Sequence, residues 1–469
     1  MLNIFKFSED KKELLEVLDK DVKEAIIPFG IIEIRKQAFK DCELLESVEI
    51  PNTVTKIGSE AFSGCISLQK INIPPRVKVI AEETFWWCES LRSIEIPNGV
   101  EEIEHRAFGS CKTLEIVNIP DSVSKIGGCA FSHCTSLSHI KLPNKITEIG
   151  YKVFENCESL QSIHIPSNVT LIEEEAFSGC RCIDSITIPE NVMTIEDKAF
   201  SECNSLKTLF INESSEPLFI GCYDIKLAAS MFCDSPLETL YIGRNLMYDL
   251  SPFWGCSSLK TIGISNNVSE IGRSLFSNCS SLQSLILPNS IKVIESAAFA
   301  GCSALQNIDI PCGVTRIGTS AFRHCFSLHD IKIPNGVTEI ADGLFAHSAL
   351  EKVNFPNGLL RIGNNSFEDC SELKSINLPE HIKEIGNEAF AGCTSIKELK
   401  IPCSVVSIGN SAFYYCESLH SISIPYDIKK IGNKAFCECK SLQCINITNS
   451  STMIGEDAFS GCNIKMIKS

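Results

Sequence analysis

A phenylalanine recurs every 23 residues, at Phe39, Phe62, Phe85, Phe108, Phe131, Phe154, Phe177 and Phe200, and again from Phe232 and Phe253 through Phe276, Phe299, Phe322, Phe345, Phe367, Phe390, Phe413, Phe436 and Phe459. These nineteen anchors keep the step of 23 except between Phe200 and Phe232, which is nine longer, and after Phe232 and Phe345, where short deletions fall. Self-similarity at a fixed period of this size is the mark of a stacked array. A chain of 469 residues is also longer than a single hydrophobic core supports, since cores stop growing near about 250–300 residues.

Counted from each Phe, Cys follows at plus 3, Leu at plus 6, Ile or Val at plus 9 and 11, often Pro at plus 12, Val at plus 15, and Ile-Gly at plus 18 and 19. One coil reads Phe62, Cys65, Leu68, Ile71, Ile73, Pro74, Val77 and Ile80, with Ala81 in place of the glycine. The alternation around Ile71 and Ile73 predicts a half-buried strand. Proline ends it, because proline donates nothing to a ladder. Val and Ile at plus 15 and 18 predict a second extended segment on the opposite wall, and the Ala-Phe stretch reads as one helical or 3₁₀ turn. Gly at plus 19 is expected to permit the bend before that turn. No single coil buries both walls, so coils must stack as parallel strands into a solenoid.

The residues divide into an N-terminal hairpin (1–24) that caps the first coil, a first array (25–211), an irregular insertion (212–236) and a second array (237–469) continuous with the first. The closing Ile464-Lys465-Met466-Ile467-Lys468 is read as a terminal edge that lysine protects against strand addition.

Hydrophobic residues make up 44% and charged residues 21%, the balance of a folded chain rather than a disordered one. With 42 Lys and Arg against 58 Asp and Glu, the net charge of -16 repels phosphate backbones, and no nucleic acid partner is expected. The opening MLNIFKFSEDKKELLEVL lacks the apolar core of a secretory signal, and no run approaches the roughly 20 apolar residues of a membrane span. From the residues alone, no membrane insertion is expected, and the protein is cytoplasmic or exported by a route without a visible signal.

Of 25 Cys, seventeen occupy plus 3, from Cys42 to Cys462. A row repeated by the period reads as small buried packing residues rather than as disulfides or metal ligands. Cys129, Cys182, Cys222, Cys233, Cys312, Cys403, Cys437 and Cys444 lie off it. The pairs Cys180 with Cys182 and Cys437 with Cys439 are spaced too closely for the usual zinc motif. His139 and His164 fall on neighbouring strands and read as a surface pair. No His-Glu-x-x-His sequence, phosphate loop or dinucleotide fingerprint occurs. No catalytic residues, metal or cofactor are read.

Strand residues at plus 8 and plus 10 point outward and line a concave wall, the usual binding surface of repeat proteins. The plus-10 row is polar from Glu49 to His164 and Thr187, turns to Phe210, Tyr241, Gly263 and Ile286, and becomes polar again at Asp309. Thr208, Thr239 and Thr261 accompany this interval at plus 8. The candidate partner-binding residues are therefore Thr208, Phe210, Thr239, Tyr241, Thr261 and Ile286, with His164 and Thr187 on the rim. Trp86, Trp87, Trp254, Tyr414 and Tyr415, beside the anchor Phe, form a second aromatic set.

The unit Cys-x-x-Leu-x-x-Ile-x-Ile-Pro-x-x-Val-x-x-Ile-Gly-x-x-Ala-Phe closely resembles the BspA-like leucine-rich repeats of bacterial and protist surface proteins, over residues 25 to 467. The resemblance implies a leucine-rich-repeat solenoid, curved into a superhelix, with a non-enzymatic, protein-binding and adhesive role at a cell surface. In some members the partner is a host extracellular-matrix protein. A glycan-binding or structural surface-layer protein is the alternative. The family has no shared catalytic residues to carry over.

Overall fold

A computed structural model describes residues 4–221, 231–232, 235–447 and 449–468. It divides into two compact units, residues 1–237 with 246–250, and residues 238–245 with 251–469. Each is a parallel-strand solenoid of stacked coils, and no α-helix occurs among the described residues.

In the first unit, Ser93–Glu95, Ile116–Asn118 and His139–Lys141 pair in parallel, with Ile116 opposite both Ser93 and His139, its equivalents one repeat away. Register is dictated by the pleat: a slip of one residue would turn Val117 to solvent, and that side chain is fully buried while Ile116 and Asn118 are exposed. The strands stop where proline comes. Pro97 and Pro120 have no N–H to give, and their carbonyls accept from Val100 and Val123, both at 3.0 Å, to turn the chain. The opposite wall is a ladder of two-residue strands, Val79–Ile80, Glu102–Ile103 and Lys125–Ile126. The second unit repeats the scheme, with Glu398–Lys400, Ser421–Ile424 and Cys444–Ile447 on one wall and Glu384–Ile385, Ser407–Ile408 and Lys430–Ile431 on the other.

Between the walls stand the Phe stripes. Rings from Phe39 to Phe232 in the first unit stack with centroids 4.8 to 5.9 Å apart, and those from Phe253 to Phe459 in the second stack at 5.0 to 6.3 Å. At the N-terminal end Phe5–Phe7 runs antiparallel to Glu13–Val17, which itself pairs in parallel with Glu33–Ile34. The Phe5 ring meets Phe39 edge-on at 6.1 Å.

The Ala-Phe stretch is not the expected helical or 3₁₀ turn. Ala38, Lys40 and Cys42 donate their N–H groups to carbonyls three residues back, at 3.1 to 3.2 Å, whereas Gln37, Phe39 and Asp41 donate to Ser59, Ala61 and Ser63 of the next coil at 2.8 to 3.0 Å. Alternate N–H groups thus point along the solenoid axis, which a helix forbids. The alternation is made by left-handed residues two before and two after the Phe, such as Gln37 (φ 62°) and Asp41 (φ 58°), or Glu83 (φ 52°) and Trp87 (φ 63°). A bulky side chain adopts this conformation only where the surrounding structure enforces it. Here the inter-coil hydrogen bonds do so.

The glycine at plus 19 also has a different cause from the one expected. Gly58, Gly127, Gly318 and Gly409 do not have left-handed φ; instead a Cβ on any of them would lie 2.4 to 2.6 Å from backbone of the preceding coil. In these four coils glycine answers to the close approach of backbone rather than to a bend, whereas Ala81, Glu104, Glu173, Glu196, Glu295 and Ala341 hold the same place in other coils.

Candidate interaction face and the buried thiols

The outward rows fall where the strand pleat places them. In the first unit Thr187 stands opposite Phe210 and Ser185 opposite Thr208, on the paired strands Ser185–Ile188 and Thr208–Ile211. Phe210 is 41% exposed although it sits mid-strand, Thr187 is exposed and Thr208 half-buried. His164 is exposed, but residues 163–165 run outside any strand, and on this wall the coil pairs with its neighbour only through a bridge from His139 to Ser162. A groove of about 550 Å³ opens there, lined among others by Ser162, His164, Thr187, Glu190 and Asn212. The structure therefore brings His164 and Thr187 to one groove, and Thr187 to Phe210.

The remaining four residues belong to the second unit. Thr239 pairs with Thr261, and Tyr241 with Gly263. A Cβ on Gly263 would lie 2.9 Å from Tyr241 Cδ2, so the half-buried tyrosine ring lies over the glycine. Ile286 is 81% exposed, on the strand Ser284–Ile286, which pairs onward with Asn307–Asp309 but not with Thr261–Ile264. Of the expected insertion, Leu218–Ile220 runs as a strand between Thr194–Ile195 and Leu246–Tyr248, with Leu218 and Ile220 buried. Residues 222–230 and 233–234, with Cys222 and Cys233, lie outside the described residues. Two outward apolar residues were missed, Ile26, opposite Glu49 and 59% exposed, and Ile116, in the plus-8 row and 50% exposed. The signal at Ile116 was an aliphatic residue where the neighbouring coils carry Ser93 and His139.

The thiol row does more than fill space. Cys65, Cys88 and Cys134 donate S–H to the carbonyls of Phe39, Phe62 and Phe108, each at 3.2 Å, one coil back. The carbonyl also takes its own coil's plus-3 N–H, so each Phe is tied twice. Burial pushes the thiols of Cys134, Cys203, Cys325 and Cys416 up to about 12, which removes the thiolate a nucleophile or ligand needs. Cys462 departs from the row: it is half-exposed, and a hydrogen bond from Cys439 holds it below the usual thiol range. Off the row, Cys182, Cys312, Cys403 and Cys444 are exposed, whereas Cys129 and Cys437 are buried. Alkylation of native protein at mildly alkaline pH is expected to modify those four and Cys462. The interior row should react more than about a hundredfold slower, from thiolate fraction alone, until denaturant is added. Mass mapping that finds Cys134 or Cys203 labelled alongside Cys182 would contradict the buried row.

No helix among the described residues is long and apolar enough to cross a membrane. The coil geometry, with short parallel strands on one wall and a Leu-rich interior, is that of a leucine-rich-repeat solenoid. The chain belongs to the BspA-type leucine-rich-repeat family, whose model matches residues 18–138, 101–226, 249–374 and 361–469. Among solved structures it is similar to a leucine-rich repeat protein from Bacteroides ovatus, with 26% identity over 90% of this chain and 93% of that one (TM-score 0.36). It is also similar to a leucine-rich cell surface protein from Faecalibacterium prausnitzii, with 28% identity over 89% and 92% (TM-score 0.34). A leucine-rich repeat protein of T. pallidum is 29% identical over 39% of this chain and 89% of that one (TM-score 0.37). The comparison with curated proteins gave no match.

Proposed function

We propose that this chain is a non-enzymatic protein-binding module that acts at a cell surface as an adhesin, with the strand wall of each unit as its contact face. The observation that carries the reading is the exposure of Phe210 and Ile286 at outward strand positions, among hydroxyl side chains. Apolar anchors with a polar rim are the composition of an interface centre. In the first unit the face is Phe210 with Thr208, Thr187 and His164; in the second it is Ile286 with Tyr241, Thr239 and Thr261. Membership of the family supports a protein ligand, with host extracellular-matrix proteins as the first class to test. Family membership also supports a surface location.

The test is binding of the full chain to immobilised extracellular-matrix proteins. Phe210→Ala and, separately, Ile286→Ala are expected to weaken binding by about 2 kcal/mol, roughly thirtyfold, with unchanged circular dichroism, while Glu49→Ala leaves it intact. Unaltered binding by both folded variants would place the contact elsewhere.

A glycan-binding role is the second reading, and one observation favours it. The indoles of Trp86 and Trp87 stack at 4.6 Å with planes 22° apart, and Trp87 is 47% exposed, which presents a flat aromatic face of the kind sugar rings stack on. In a glycan array Trp87→Ala, not Phe210→Ala, should then abolish the signal.

A further inference from the structure

In the second unit, the position two residues after the anchor Phe carries His324, His347 and Asp369 on three successive coils, all left-handed, with φ of 60°, 58° and 54°. The two imidazoles stack with centroids 4.7 Å apart and planes 12° apart. Arg323 lies along their outer edge. Its Nε donates to His324 Nε2 at 3.3 Å, and its Nη2 is 3.4 Å from His347 Nε2. A guanidinium has only donors, so His347 Nε2 accepts and the ring proton sits on Nδ1. That nitrogen faces Asp369 Oδ2 at 3.2 Å. The carboxylate of Glu368 completes the group: one ligand atom from each of His347, Glu368 and Asp369 lies within 4.8 Å of the others.

We propose that His347, Glu368 and Asp369 form a binding site for one divalent transition-metal ion, of which zinc is the natural probe. Zinc binds imidazole nitrogen and carboxylate oxygen at about 2.0–2.2 Å in tetrahedral array, which sets two ligands about 3.4 Å apart. The observed nitrogen–oxygen separation is already close to that. Glu368 supplies the third ligand and water the fourth. The ring of His347 is held in place by its stack on His324, so little order has to be created on binding. Two carboxylates cancel the charge of the ion, leaving a neutral cluster beside Arg323. When the ion takes the Nδ1 lone pair, the ring proton moves to Nε2 and Arg323 loses its acceptor. Arg323 therefore competes with the metal. A cluster serving only structure would not predict this.

Zinc is titrated calorimetrically into the full chain after the accessible thiols have been alkylated, since Cys182, Cys312, Cys403, Cys444 and Cys462 would otherwise bind it. The wild type should take up one equivalent that His347→Gln loses. Asp369→Asn and Glu368→Gln should weaken it by about tenfold or more, and Arg323→Met should tighten it by about tenfold, on the scale that neighbouring groups tune metal sites. The exposed Asp369 is open to change without loss of fold, so the test survives if His347→Gln does not fold. Wild-type zinc affinity in Asp369→Asn, or an Arg323→Met chain that binds no tighter than wild type, overturns the assignment, as does a wild type that takes up no zinc.

Discussion

Phe131→Ala is expected to cost about 3 to 5 kcal/mol, the range for truncating a fully enclosed aromatic residue. Phe131 is completely buried and stacks on Phe108 at 5.3 Å and Phe154 at 5.9 Å. Its N–H donates to Val153 at 3.0 Å, and its carbonyl takes the thiol of Cys157 at 3.2 Å. The cavity would therefore sit between two coils whose backbones are already locked, with little room to collapse. In a stacked array each coil is held by its neighbours alone. The loss should thus show in a denaturant titration as a lower midpoint and a broader transition. Phe459 is the internal control, because it is only half-buried and among the described residues stacks on Phe436 alone, at 5.5 Å. Phe459→Ala should cost clearly less. Equal losses at the two positions would mean that the stripe does not couple the coils.

The second large effect concerns a residue with no side chain. A Cβ on Gly409 would lie 2.4 Å from the carbonyl carbon of Gly386 and 2.5 Å from the nitrogen of Asn387. Gly409→Ala is therefore expected to cost about 1 to 3 kcal/mol, the usual toll of overpacking, and Gly409→Val more. The substitution should break the hydrogen bond from Gly409 N–H to Ile385, now 2.8 Å, and expose Ile385 and Ile408 amides to hydrogen exchange. It would also disturb the adjacent asparagine column, in which Asn410 N–H donates to Asn387 Oδ1 at 2.8 Å and Asn433 N–H to Asn410 Oδ1 at 2.9 Å. Gly358 supplies the contrast, since a Cβ there meets nothing within 4 Å. Gly358→Ala should be neutral or stabilise by about 0.4–1 kcal/mol through the unfolded chain. A Gly409→Ala chain that melts with the Gly358→Ala chain would refute close approach as the reason for the glycine.

Much of this architecture could be read from one repeat written out nineteen times. Phe, Cys, Leu and Ile recur at positions that are buried in almost every interior coil, so their roles follow from spacing alone: Phe131, Cys134, Leu137 and Ile140 are all buried. The outward rows followed from the pleat for the same reason, which is why Phe210 and Ile286 could be singled out before any coordinates. The partition of the candidate residues between two units could not be read, because compactness depends on contacts that no local pattern encodes. Nor could the left-handed residues flanking the Phe in most of the described coils. Gln37, Trp87, His133 and Tyr415 share that conformation without sharing any chemistry, since inter-coil hydrogen bonds impose it whatever the side chain. The glycine column was legible as a pattern but not in its cause, because a bend and a close approach both select glycine. The cluster at His347, Glu368 and Asp369 was hidden for a related reason: His347 lies one coil before the two carboxylates in sequence, and the ring stack and hydrogen bonds that aim them at one point arise only when the coils stack. Periodic burial belongs to the sequence; what one coil does to the next belongs to the tertiary structure, because it is decided by backbone groups common to every residue.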